Sequence, residues 1–219
     1  MRRHNLKPID DHALEELILR GIQRLPYRMP EGSSGLLLRF IHLLDKWNRI
    51  YNLTSIREPR QMVSRHILDS LVVRPYLHGQ RILDVGSGAG LPGIPLAIAA
   101  PELNFTLLDS NNKKTRFILQ VVTDLGLKNV EVVTARIEEY QPAQGFDTVL
   151  ARAYSSLEKL SQDVREILNA EGCILAMKGS YPLAELESIP VTFKVDTINK
   201  LEVPGLDAER HLVILRAVT

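Results

Sequence analysis

The run Arg81-Ile-Leu-Asp84-Val-Gly86-Ser-Gly88-Ala-Gly90-Leu91-Pro-Gly93 passes from an apolar, strand-like stretch directly into glycines at alternate positions. Glycines at 86, 88 and 90 let the main chain turn sharply and approach a bound molecule more closely than a Cβ permits. A helix opening near Pro92 would aim its unpaired N–H groups at the same place. The spacing selects among ligands. A pyrophosphate-binding Gly-x-Gly-x-x-Gly run needs a third glycine at position 91, and that residue is Leu91. Two readings remain: a loop for a ligand without a pyrophosphate, or a glycine-rich turn with no ligand at all.

Three more chemistry-bearing residues stand where apolar runs stop: Asp109 after Thr106-Leu-Leu, Arg152 after Val149-Leu-Ala, and Lys178 after Leu175-Ala-Met. Asp109, roughly 20 residues beyond the glycines, can accept hydrogen bonds from ribose hydroxyls, or cap the helix that opens at Asn111. Arg152 suits an anionic or acceptor-rich partner such as a carboxylate, a phosphate or the O6 edge of guanine; a structural ion pair would use it equally well, and Lys178 is ambiguous in the same way. Cys173, the single cysteine, lies in the apolar run Cys173-Ile-Leu-Ala-Met and reads as a small buried side chain. The six histidines show no metal-ligand spacing, so no metal is expected.

These residues need strands that end together. Apolar or β-branched runs at 81–85, 103–108, 130–134, 146–151 and 172–177 alternate with helical stretches, which implies parallel βαβ units with the site at their carboxyl ends. Val191 to Ile198 and His211 to Val218 follow with a Pro-Gly-containing loop and no helix between them, so that pair should be antiparallel. Ahead of the sheet lies a helical preface. Leu14, Leu17, Ile18 and Ile22 share one helical face. Leu36, Leu37, Phe40, Ile41, Leu43, Leu44, Trp47 and Ile50 share another. Pro59 opens a third helix with Met62, Val63, His66, Ile67, Ser70 and Leu71 along its stripe. Residues 1–79 hold thirteen Lys/Arg against eight Asp/Glu, and the remainder fourteen against eighteen. A polyanion lying across the first third fits that imbalance, as do ordinary solvated helix faces. No stretch approaches the ~20 apolar residues of a membrane span. The start, Met-Arg-Arg-His-Asn, leads to no apolar signal core, so a cytoplasmic location is expected.

Asp84 followed by Gly-x-Gly-x-Gly resembles the first motif of the S-adenosylmethionine-dependent methyltransferases. Longer runs narrow the likeness: Lys46-Trp47-Asn48-Arg49-Ile-Tyr51-Asn52-Leu-Thr54-Ser55, Arg65-His66-Ile-Leu-Asp69-Ser70-Leu71, Leu-Leu-Asp109-Ser, Ala151-Arg152-Ala153 and Glu209-Arg210-His211. Together, from about Leu36 to Leu215, they are similar to the bacterial 16S rRNA guanine-N7 methyltransferase G family, also called glucose-inhibited division protein B. The resemblance implies an α/β, class I methyltransferase fold: a Rossmann-like seven-stranded sheet over 80–219, with a helical extension over 1–79 that contacts RNA and lids the cofactor pocket. It implies S-adenosyl-L-methionine as cofactor and S-adenosyl-L-homocysteine as product. The cofactor residues would be Gly86, Leu91, Ile137, Glu138 and Arg152, with Gly88 and Asp109 beside them. Similar enzymes set a backbone N–H and a polar side chain against the adenine edge where Ile137 and Glu138 stand, and Leu91 and Ile137 would wall the ring. Read alone, Ile137 and Glu138 merely start a short helix.

Many amine-methylating relatives carry an Asn/Asp-Pro-Pro-aromatic run after the fourth strand; here stands Arg152-Ala-Tyr154, which disfavours exocyclic amines. Guanine N7 has an in-plane lone pair and no proton, so no general base is needed and no catalytic residue is assigned. The partner implied is 16S rRNA or the small ribosomal subunit, with no membrane and no metal. An A-form groove hides N7, so the target would be an unpaired or extruded guanine. Arg65, His66, Asn52 and Lys178 are the candidate RNA contacts. His66 on its apolar stripe also reads as a buried histidine, and Arg65 and Asp69, at i and i+4, can simply pair. Two rivals stay open: a same-fold methyltransferase of a small acidic molecule, and a non-catalytic RNA-binding assembly factor.

Overall fold

The computed structural model describes residues 10–218, so the Met-Arg-Arg-His-Asn start lies outside the described residues. Seven strands form one sheet: β1 Arg81–Val85, β2 Asn104–Asp109, β3 Val130–Thr134, β4 Phe146–Arg152, β5 Leu168–Lys178, β6 Phe193–Lys200 and β7 His211–Ala217. Their order is β3-β2-β1-β4-β5-β7-β6. β1 to β5 run parallel, β7 is antiparallel to β5, and β6 is antiparallel to β7. The strand order reverses at β1, which lies between β2 and β4, and such a switch point opens a crevice at the carboxyl ends of the strands.

Two strands depart from the sequence expectation. β6 starts at Phe193 rather than Val191, because the Phe193 N–H donates to the Pro190 carbonyl at 2.9 Å and closes a turn first. β5 begins four residues early, at Leu168, and its register against β4 shifts between Leu168 and Cys173, an irregularity that takes in Gly172, where a Cβ would lie 2.9 Å from the Phe146 carbonyl oxygen.

Alternate residues face opposite sides of the sheet. Ile82, Leu107 and Leu150 belong to one apolar layer, and Leu83, Val85, Leu108 and Val149 to the other. The first layer is completed by the extension. Its helices are α1 Asp11–Ile22, α2 Ser33–Tyr51, and α3, in which Pro59–Met62, Val63–Leu68 and Asp69–Leu71 run on as one helix. The middle segment of α3 is a π-helix, wider than the turns on either side. α4 Gly93–Ala99 and α5 Asn112–Leu125 cover the same face, and the Phe40 and Phe117 rings stack across α2 and α5 with centroids 6.4 Å apart. α6 Leu157–Val164 covers the other face, with α7 Leu183–Leu186 beyond it. The extension is therefore built into the main core rather than appended to it. No helix among the described residues is long and apolar enough to cross a membrane.

Candidate cofactor cradle and acceptor cavity

The chain leaves β1 through Gly86, Gly88 and Gly90, all with positive φ (69°, 58° and 73°). The loop is held from below. The Gly86 and Ser87 N–H groups donate to the Leu108 carbonyl at 2.8 and 3.0 Å, and the Gly88 N–H donates to Asp109 Oδ2 at 2.9 Å. The glycines divide by what surrounds them. A Cβ at Gly86 or Gly88 would make only ordinary van der Waals contact, 4.0 Å from the Tyr154 ring and 3.8 Å from the Gly86 carbonyl respectively. A Cβ at Gly90 would lie 2.7 Å from the Ile94 side chain, and one at Gly93 2.7 Å from Asp84 Oδ2. Gly86 and Gly88 form a cradle, whereas Gly90 and Gly93 allow α4 to pack against the sheet.

Asp84 lies under that packing, fully buried. Oδ2 accepts the Gly93 N–H at 2.8 Å; Oδ1 has no partner among the described residues. Burial pushes its carboxyl up to about 7, against the pull of the Gly93 N–H and the Arg152 guanidinium. Such an oxygen is satisfied by a proton of its own, an ordered water or a ligand donor.

Asp109 is more committed than its strand-end position implies. Besides Gly88, it accepts the Asn111 N–H on Oδ1 at 2.8 Å and faces Lys114 Nζ at 3.5 Å. The helix cap of α5 is Asn111 itself, whose side chain accepts the Lys113 N–H. Asp109 thus fastens the glycine loop to β2. Ile137 and Glu138 form one short turn directly after β3. Ile137 is 8% exposed and Leu91 is 2% exposed, so little of either side chain reaches the surface. Glu138 is exposed and accepts from Lys159 Nζ at 3.3 Å.

Beyond the end of β4 lies a cavity of about 440 Å³, its walls supplied by the loop after α2 (Thr54 to Ile56), by α3 (Arg65, His66, Asp69), by Arg152 to Tyr154, by Lys178 and by Arg210. The backbone is strained at its centre: Ala153 takes φ 57°, a left-handed conformation that costs a non-glycine residue about 1 kcal/mol and is kept where surrounding structure demands it. Asp69, buried, accepts Arg210 Nε on Oδ1 at 2.7 Å, and its Oδ2 lies 3.6 Å from Arg152 Nη1. Burial pushes the Arg152 guanidinium below its ordinary value, while Asp69 and Asp84 hold it up. His66 is buried too. Its Nδ1 sits 2.9 Å from the Arg65 carbonyl, which can only accept, so Nδ1 carries the proton and Nε2 accepts from the Thr54 hydroxyl at 2.9 Å. Burial first, and the Arg152 charge second, lower the His66 imidazole to about 4, so it is neutral at pH 7.

The structure gathers Arg65, His66, Arg152 and Lys178 around one cavity. It leaves Asn52 outside: Asn52 ends α2 in a left-handed conformation (φ 51°), and its Oδ1 accepts from Arg57 at 2.7 Å. Nor do Arg65 and Asp69 pair. The π-helical turns of α3 break the i, i+4 geometry on which that pairing depended, and Asp69 faces Arg152 and Arg210 instead. Lys178 is occupied by Glu185, at 2.9 and 2.8 Å to its two oxygens. Sequence reasoning gave Arg210 and Asp69 no function. Their only signal was membership of motifs 141 residues apart. Among the described residues no group of three or more His, Cys, Asp or Glu could hold a metal.

The family model for GidB, described as rRNA small subunit methyltransferase G, matches residues 34–213. A ribosomal RNA small subunit methyltransferase G from Nitrosococcus oceani is 48% identical over 206 residues, covering 94% of this chain and 96% of the relative. One of the same name from Idiomarina loihiensis is 52% identical over 198 residues, covering 90% and 96%. Among solved structures, a SAM-dependent methyltransferase from Aquifex aeolicus superposes with a TM-score of 0.58 at 18% identity, covering 76% of this chain and 97% of that one. The Pyrococcus abyssi tRNA (uracil-54, C5)-methyltransferase in complex with S-adenosyl-L-homocysteine gives 0.54 at 22% identity, covering 72% and 38%. The two structures speak to the fold alone.

Proposed function

The chain belongs to the rRNA small subunit methyltransferase G family, and from that premise we propose that its glycine cradle takes the cofactor and the cationic cavity beside it takes a guanine of 16S rRNA. It is an S-adenosylmethionine-dependent methyltransferase of small-subunit ribosomal RNA. The residues fit that cofactor. Gly86 and Gly88 admit a ligand against bare backbone, and the unpartnered Asp84 oxygen suits the ammonium of an amino-acid end. Bound, S-adenosylmethionine supplies an electrophilic sulfonium methyl and leaves as S-adenosylhomocysteine.

The protein's part is placement. Gly86, Gly88 and Asp84 hold the methyl donor, with Asp109 keeping the loop in shape, and Leu91 and Ile137 with Glu138 border the adenine side. N7 donates its own lone pair and no proton moves, so His66, engaged by Thr54 and Arg65, and Asp69, engaged by Arg152 and Arg210, need act as neither acid nor base. Holding the two reactants in line and excluding water is the source of rate. Arg152 must not occupy the N7 lone pair; a bond to O6, to a phosphate or to the carboxylate of the cofactor leaves N7 free. Arg65 on the rim, His66 through its Thr54 link, and Lys178 with Glu185 shape the mouth, and the extension over 1–79 serves as RNA contact and lid. Asn52 would reach RNA only outside the cavity.

The observation that carries this reading is the position of Arg152. With Tyr154, whose ring lies 4.0 Å from the Cβ position of Gly86, it lines the cavity, so the cavity adjoins the glycine loop. Labelled S-adenosylmethionine offered with naked 16S rRNA, with small subunits and with a pool of small acidic metabolites tests it. Label in 7-methylguanine of either RNA substrate is expected; label in the metabolites, or none, would overturn the reading.

A further inference from the structure

Asp69, in the wall of the cavity, joins three separate elements. Asp69 is supplied by α3 of the extension, Arg152 by the end of β4, and Arg210 by the segment entering β7. The Asp69 side chain is 4% exposed, and its two oxygens are divided between the two guanidinium groups. Arg210 is fixed further: its Nη1 donates to the Glu209 carbonyl at 2.7 Å while Nε holds Asp69. Arg152 ends β4 directly before the strained Ala153. Two guanidinium groups this close repel each other unless a carboxylate stands between them. The donors that Asp69 and Glu209 do not use remain for whatever enters the cavity.

We propose that Asp69 is a positioning residue for methyl transfer: it holds Arg152 and Arg210 as a two-pronged fork that grips the acceptor nucleotide at two points. Arg152, on the cradle side, takes the acceptor edge of the base, and Arg210, on the far side of Asp69, takes the phosphate of the same nucleotide. The assignment rests on the reading of the cavity as the acceptor pocket. It also explains why the carboxylate comes from the extension. The fork is complete only when α3 is docked on the sheet, so the extension and the catalytic strands assemble one site between them.

The test uses the full chain with Asp69→Asn, Asp69→Glu and Arg210→Gln. S-adenosylhomocysteine affinity is read by calorimetry, RNA affinity by a salt-controlled binding assay, and kcat and KM with the ribosomal substrate established for the wild type. Asp69→Asn is nearly isosteric and removes one negative charge. It is expected to leave S-adenosylhomocysteine binding within threefold, RNA binding unchanged or tighter, and kcat lower by about 100-fold, the scale of a misplaced reactant. Asp69→Glu should recover at least tenfold of that loss. Arg210→Gln should lower kcat with cofactor affinity intact, and adding it to Asp69→Asn should cost little more. Near-wild-type kcat in Asp69→Asn overturns the proposal. If Asp69→Asn loses its fold and cofactor affinity together, Arg210→Gln decides, and full kcat there overturns the proposal as well. A wild type that labels no guanine refutes the acceptor reading itself, a result separate from any change among the variants.

Discussion

At the residue scale, the cavity and the glycine loop each hold one titrating group, and the two act in opposite directions. His66 is lowered to about 4 from an unfolded value near 6.5, so its neutral form contributes stability that is fully present above 6.5 and is lost as pH falls toward 4. The gap corresponds to roughly 3 kcal/mol at the acid end. Asp84 is raised to about 7, so what it contributes is present below its unfolded value near 4 and is lost as pH rises through 7. The wild type alone will therefore show a flattened profile. Subtraction isolates the histidine: chemical denaturation of wild type and His66→Gln at pH 7.5, 5.5 and 4.5 should show the variant less destabilised by acid. Equal acid slopes in the two proteins would mean that His66 protonates freely and is not held between Thr54 and Arg65.

At the scale of elements, the turn from β1 into α4 separates binding from packing within one motif. Gly88→Ala would hold alanine at φ 58° for about 1 kcal/mol, and would set a methyl in the cradle. Melting should fall only slightly, while S-adenosylhomocysteine affinity should drop at least about tenfold, the equivalent of 1.4 kcal/mol. Gly90→Ala, forced against Ile94, should instead lower melting strongly. Much of this scale was legible in the sequence. The apolar and β-branched runs gave every strand to within a few residues, and the alternate glycines gave the turn out of β1, because both patterns are local. What escaped is non-local or has no composition signal. Nothing in Val63-Ser-Arg-His-Ile-Leu announces a π-helix. Its wider turns re-aimed Asp69 away from Arg65, toward an arginine 141 positions later. Asp109 was found, but its commitment to Gly88 and Asn111 depends on how the loop closes over β2. Asn52, a candidate RNA contact, also ends α2 in a left-handed turn, which its neighbours in the sequence did not show.

At the scale of the whole molecule, the change in sequence character near residue 80 is not a boundary in the core. Leu14, Ile18, Leu37, Phe40 and Ile41 of the extension lie in the same buried cluster as Ile82, Ile94, Leu107 and Phe117 of the sheet half. Charge is segregated across that seam even though the apolar interior is not, with a basic first third against an acidic remainder. A surface built this way can draw a polyanion onto the extension while the shared core keeps α3, and with it Asp69, in register with β4. Cooperativity tests the claim directly. Phe40→Ala and Phe117→Ala remove either member of one stacked pair, and each should cost about 3–5 kcal/mol. Because the pair joins the extension to the sheet, scanning calorimetry of both variants should show a single transition displaced to lower temperature, with calorimetric and van't Hoff enthalpies in agreement. An extension that folded as a separate unit would give a different result for Phe40→Ala: an early transition of its own, with the sheet melting afterwards at its wild-type temperature.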